Sequence, residues 1–165
     1  MQPEARYGQT AAALSQPLAV LLRCSPETSS LLNGAARCID LDVGGTIFRQ
    51  AQCCQGLYLI VSGLFLRRTE RKAARLVLGR ARAGDLVELA AALGDGVHTY
   101  TLVAQTPASA LLLPIEALRK AFELHPPLRM QLLEELAREV SRGYEASRQD
   151  HMAKTRSRGA GAPVA

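Results

Sequence analysis

Tryptophan is absent, and aromatic residues make up only 4% of the 165 positions, so leucine, valine and alanine must fill whatever core the chain builds. No apolar run approaches the roughly 20 residues needed to span a bilayer. The opening residues, Met1-Gln2-Pro3-Glu4-Ala5-Arg6, lack the basic-then-apolar layout of a secretion signal. These absences predict a cytoplasmic protein with no membrane partner. The four cysteines, Cys24, Cys38, Cys53 and Cys54, never take the C-x-x-C spacing of zinc or iron–sulfur sites, so neither a metal centre nor a disulfide is expected. Buried or turn-lining thiols are the plain reading, and a redox or iron–sulfur sensor is the sharper one. Catalytic signatures are missing too. His98, His125 and His151 share no local motif, and neither a nucleophile elbow nor a glycine-rich phosphate loop occurs. No catalytic residue and no tightly held cofactor are predicted.

What is present is a 48% hydrophobic composition, enough for one aliphatic domain, and a formal charge of +5 that is unevenly spread. Arg67, Arg68, Arg71, Lys72 and Arg75 crowd one segment against Glu70, and Lys154, Arg156 and Arg158 lie near the end, leaving the body slightly negative. No aromatic residues interleave with these charges as a single-strand platform would require, so we read a solvated hairpin loop and a polar tail. Specific DNA binding is not expected. Three spans follow: an N-terminal extension over 1–17, a folded domain over 18–150, and a disordered tail over 151–165 that is too small and polar to fold.

Taken in order, Ala11 to Leu14 could be helical and Leu18 to Leu22 is an apolar run. Ser25-Pro26-Glu27 then starts a helix, with Ser25 as cap, Pro26 where its missing N–H does no harm and Glu27 favourable to the dipole. From Cys38 the pattern alternates in the manner of strands, as in Ile39-Asp40-Leu41-Asp42 before the Gly44-Gly45 turn. Leu57-Tyr58-Leu59-Ile60-Val61-Ser62-Gly63 is a continuous apolar run stopped by glycine, which suits a strand buried on both faces. Leu64 to Leu66 and Arg75 to Leu78 read as arms of a hairpin. Ile115 to Leu124 reads as a helix ended by His125-Pro126-Pro127, and a longer helix follows with Leu128, Leu132, Leu133, Leu136, Ala137, Val140 and Tyr144 on its stripe.

The stretch from Gly84 to Ala104 organises the rest. Gly84-Asp85 is a turn, Glu88 to Leu93 is a short helix, Gly94-Asp95-Gly96 is a loop, and Thr99 to Ala104 is a strand. A short helix held between strands points its unpaired N–H groups forward, which suits an anion. In Gly84, Asp85, Glu88, Leu89, Ala90 and Thr99 this stretch resembles the phosphate-binding cassette of cyclic nucleotide-binding domains of the catabolite-activator (Crp/Fnr-like) family. The run ending at Gly63 resembles that family's Tyr-Tyr-Ile-Val-x-Gly strand. Two departures stand out: Val87 occupies the place of the cassette glycine, and His98 that of the phosphate-binding arginine.

The resemblance, which covers about residues 18–149, implies a mainly β fold with α: a β-roll (double-stranded β-helix or jelly roll) of about eight strands, with N-terminal helices and two C-terminal helices. It implies that Glu88 accepts from a ribose hydroxyl, that the amides of Leu89 and Ala90, following Val87, meet a cyclic phosphate, and that His98 with Thr99 stands in for the arginine. Tyr144 falls where the family contacts the base. The long helix would zip two subunits through Leu132, Leu133, Leu136 and Val140. No helix-turn-helix domain follows that helix, so DNA reading is not implied. Two functions are expected from these residues. One is a non-enzymatic regulatory module for a cAMP-like cyclic nucleotide or related small anion, acting as a homodimer on a regulatory protein partner. The other is a dimeric interaction module that has lost its ligand.

Overall fold

The computed structural model describes residues 6–8, 23–71 and 74–159. Helix α1 (Pro26–Ala35) starts as its sequence requires, with the Ser25 side chain accepting from the Thr28 amide at 3.3 Å and Pro26 in the first turn. The segments Ala11–Leu14 and Leu18–Leu22 lie outside the described residues.

Nine strands form two sheets among the described residues. The first sheet runs in the order β1 (Arg6–Gly8), β2 (Arg37–Leu41), β9 (Ala108–Pro114), β4 (Gly56–Ser62), β7 (Leu86–Val87). The second runs β3 (Thr46–Phe48), β8 (Thr101–Ala104), β5 (Leu64–Arg71), β6 (Ala74–Arg82), and every pairing in both is antiparallel. This is the expected β-roll, with the β1 strand as an addition from the N-terminal extension. The β5–β6 ladder runs as far as the pair Arg71 and Ala74, so Arg67, Arg68, Arg71 and Arg75 lie on paired strands and not in the solvated loop expected there, because cross-strand pairing extends past the apolar arms.

Strand β4 explains its own unbroken apolar run. Tyr58 and Ile60 point into the roll with Phe48, Phe65 and Leu102, whereas Leu57 and Leu59 face outward into a second cluster with Leu118, Leu128 and Leu132 of the C-terminal helices. Strand β9 divides in the same way, with Ala110 and Leu112 inward and Leu111 and Leu113 outward. Each fully buried leucine contributes roughly 1.5–3 kcal/mol of apolar transfer. Gly63 ends β4 at φ +80°, and a Cβ there would collide with Ala108, so the motif glycine has both a conformational and a packing reason.

After β9 come α3 (Ile115–Leu124) and the long helix α4 (Pro127–Gly159). Helix α4 continues to Gly159, past the end expected near residue 150, because helix-forming Ala, Lys and Arg run on without a breaker until that glycine. Among the described residues no helix is long and apolar enough to cross a membrane.

A closed cassette beside an arginine-walled cavity

Gly84 (φ +92°) turns the chain out of β6, with the Asp85 carboxylate accepting from the Arg82 amide at 2.9 Å. Val87 is fully buried in the roll, and with no glycine available the left-handed turn falls on Glu88 itself at φ +71°. That conformation costs a non-glycine residue roughly 1–2 kcal/mol, so its neighbours must hold it. Helix α2 (Leu89–Leu93) follows directly and is only five residues long.

The hold comes from His98, whose Nδ1 donates to Oε2 of Glu88 at 2.8 Å. Both residues are almost wholly out of solvent, at 2% and 4% exposure. Phe48 lies flat on the imidazole, with centroids 4.0 Å apart and planes 9° apart, which fixes the ring. Tyr100, two residues on, hydrogen-bonds the Glu88 backbone; burial pushes its phenol far above the usual range, with Arg67 pulling the other way. Three backbone bonds zip the loop before β4 to the loop before β8: Ala51 N–H to His98 O, His98 N–H to Gln52 O and Cys54 N–H to Gly96 O, at 2.8, 2.9 and 2.7 Å. Cys54 is thereby carried to the Glu88–His98 pair, and its sulfur lies within 4.8 Å of their nearest ligand atoms. Burial raises the Cys54 thiol above its usual range, the Gly56 backbone draws it partly back, and the Glu88 charge adds to the rise.

In front of this closed cassette, between the roll and α4, lies a cavity of about 850 Å³. The cassette contributes Gly84, Asp85, Leu86 and Leu89, and the β5–β6 hairpin contributes Arg67, Arg80 and Arg82. Helix α4 supplies the facing wall, from Gln131 and Leu132 to Arg142, and Arg23 completes the lining. The helix arginines are paired: Arg138 with Glu134 and Glu135, Arg142 with Glu135. Arg67 bridges to Glu139 at 3.0 Å. Arg23, Arg80 and Arg82 have no ion-pair partner among the described residues, so the cavity carries uncompensated positive charge. The sequence pattern alone assigns no site role to Arg80 and Arg82. The signal was the alternation Arg80-Ala81-Arg82, with only Ala81 buried, on an edge strand.

The other anticipated ligand residues separate. Leu89 is buried and lines the cavity, Ala90 and Thr99 are exposed, and Glu88 and His98 face each other instead of the cavity. Tyr144 is 66% exposed and does not line the cavity, because it stands on the opposite side of α4 from Glu135, Arg138, Glu139 and Arg142. The same geometry corrects the anticipated dimer stripe. Leu132 is 2% exposed and, with the half-buried Leu136, packs on its own roll, so neither is free for a partner; Leu133 and Val140 do face outward.

Residues 39–125 match the family profile of the cyclic nucleotide-binding domain. Comparison with curated protein sequences finds no match. Among solved structures, a cyclic nucleotide-binding domain from Methylobacillus flagellatus superposes with a TM-score of 0.74 at 16% identity, covering 91% of this chain and 89% of that one. The Thermus thermophilus catabolite activator protein gives 0.65 at 24% identity, with 84% and 63% covered. The regulatory domain of Toxoplasma gondii PKA, crystallised with cAMP, gives 0.63 at 16% identity, with 77% and 48% covered. A family match over more than half the chain, on a β-roll shared with Crp/Fnr-like structures, means that this chain belongs to the cyclic nucleotide-binding domain family.

Proposed function

We propose that this domain is a non-enzymatic regulatory module that binds a cyclic nucleotide, or a related small anion, in the cavity between cassette and long helix. The observation that carries this reading is the trio Arg23, Arg80 and Arg82, charged and without ion partners, on the lining of a cavity of ligand size. Guanidinium groups bind phosphate oxygens through short, charge-assisted bonds, often two at once. They would supply the positive charge that His98, turned onto Glu88, does not offer. The PKA regulatory domain crystallised with cAMP shares the fold and makes cAMP the first ligand to try.

The signal would leave through α4, whose inner face forms one wall of the cavity. Its outer face carries Met130, Leu133, Ala137, Val140 and Tyr144, all exposed and spaced in alternating steps of three and four residues. That is the a/d seam of a two-stranded coiled coil, and a second copy of the chain is the occupant it suits. Leu76, Val77 and Leu78 on edge strand β6 are exposed as well and add apolar surface for the same partner. We expect a homodimer that presents its paired helices to a regulatory protein.

A second reading is favoured by one observation: the cassette glutamate is already taken by His98, as in a module that has stopped binding nucleotide and serves only as a dimeric contact. A thermal-shift panel of cyclic AMP, cyclic GMP, cyclic dinucleotides and 2-oxoglutarate separates the two. A ligand at about 100 times its dissociation constant stabilises the fold by roughly 2.7 kcal/mol. A shift with one of them supports the sensor, and no shift with any supports the ligand-free module.

A further inference from the structure

Glu88 leaves one carboxylate oxygen, Oε1, buried without a hydrogen-bond partner, although the residue is only 4% exposed. An orphaned buried acceptor costs about 1–3 kcal/mol, and more when charged, so something beyond the protein is expected to satisfy it. Beside the same carboxylate stand an imidazole, bonded to Oε2, and a thiol. The sulfur of Cys54, a carboxylate oxygen of Glu88 and a ring nitrogen of His98 all lie within 4.8 Å of one another. We propose that Cys54, Glu88 and His98 form a binding site for a single soft divalent cation, zinc foremost.

The donor set argues for zinc over magnesium or calcium. One sulfur, one imidazole nitrogen and one carboxylate oxygen make a mixed borderline-soft site, whereas the hard cations take oxygen ligands alone. Tetrahedral zinc places sulfur and nitrogen about 3.6 Å apart and nitrogen and oxygen about 3.3 Å apart. The His98–Glu88 contact of 2.8 Å must therefore open slightly, and Cys54 must swing inward from at most 4.8 Å. The thiol is able to do so: it sits half-buried on a loop, spending its proton only on the Gly56 carbonyl at 3.1 Å. The imidazole, by contrast, is held in place by Phe48, and the loop bearing it by the three backbone bonds to the Cys54 loop. On binding, the thiol releases its proton to solvent and the imidazole gives up its Nδ1 proton to solvent, its one remaining proton then standing on Nε2, away from the metal; the Glu88 carboxylate loses the hydrogen bond at Oε2 and has the cation as partner for both of its oxygens. Three protein ligands leave a fourth position for water. The spacing of Cys54, Glu88 and His98 follows no sequence motif, because the three come from two loops and a left-handed turn.

The test uses the full chain, purified without a histidine tag, stripped with chelator and titrated with zinc alone against a competing chelator. One equivalent should bind. Cobalt in its place should give a thiolate-to-cobalt charge-transfer band. Cys54→Ala should weaken zinc binding by roughly 100-fold or more, beyond the 10- to 100-fold seen for loss of supporting groups, and should remove the band. Cys54→Ser, nearly the same size, should lose the band while remaining folded by circular dichroism. Cys53→Ala, the exposed neighbour, should keep both affinity and band, and magnesium should not compete. No stoichiometric zinc, or zinc binding that survives Cys54→Ala and disappears in Cys53→Ala, would overturn the assignment.

Discussion

Arg67 on β5 and Glu139 on α4 meet at 3.0 Å, and this contact ties the roll to the outer stretch of the long helix. The Arg67 guanidinium also lies 5.6 Å from the centroid of the Tyr100 ring, and Tyr100 in turn hydrogen-bonds the Glu88 backbone. A continuous set of contacts therefore runs from the helix, across one wall of the cavity, to the cassette.

That contact should be measurable as a coupling. Both side chains are partly exposed, at 21% and 36%, so solvent screening limits the pair to about 1 kcal/mol or less. A double-mutant cycle with Arg67→Ala and Glu139→Ala should return a favourable term of that size, and hydrogen exchange in α4 beyond residue 135 should quicken in either single variant. Strictly additive effects and unchanged exchange would show that the helix is held by its leucines alone.

The two faces of α4 should respond oppositely to substitution. Leu132→Ala, at a fully buried site, should cost about 2–5 kcal/mol of stability. Leu133→Glu with Val140→Glu should leave the fold intact and convert a dimer to a monomer in sedimentation experiments. A wild-type protein that sediments as a monomer at micromolar concentration would contradict the seam.

A third expectation concerns thiol chemistry. Burial raises the Cys38 thiol above its usual range, and the nearby charge and hydrogen-bonding oxygen of Asp40 raise it further against a smaller opposing pull from the Ile39 backbone. Its alkylation by iodoacetamide should therefore rise at higher pH than that of a free thiol, and Asp40→Asn should move the profile to lower pH. The linked stability has the matching sign. It is fully present below the unfolded thiol value and is lost as pH rises through the folded one. Coincident pH profiles for wild type and Asp40→Asn would remove Asp40 as a cause. Raised thiols at Cys24, Cys38 and Cys54 also weigh against the redox-sensor reading, which needs an easily formed thiolate.

Much of the fold was legible because its signals are local. Ser25-Pro26-Glu27 marks a helix start by its own hydrogen bonding, and the run from Leu57 to Ile60 with Gly63 marks a strand between two cores. The site was legible only in outline. Gly84, Asp85 and Leu89 line the cavity as a cassette should, but nothing local says that Glu88 and His98, ten residues apart, turn toward each other and close. Arg80 and Arg82 were hidden because a strand states which residues share a face and not what that face meets. On α4, apolar residues cover so much of the circumference that periodicity merges two stripes. Only packing shows Leu128, Leu132 and Leu136 inward with Leu133, Val140 and Tyr144 outward.

The central claim is that an anionic ligand is held by the arginine wall of the cavity and not by the closed Glu88–His98 pair. Isothermal titration of cyclic nucleotides into the wild type and the Arg80→Ala/Arg82→Ala variant tests it directly. A charge-assisted hydrogen bond contributes about 1.5–3 kcal/mol, so loss of even one such bond should weaken binding in the variant by roughly 10- to 150-fold. Saturable heat from the wild type with that loss in the variant is the predicted result; no heat from the wild type with any cyclic nucleotide, or equal affinity in both proteins, would contradict it.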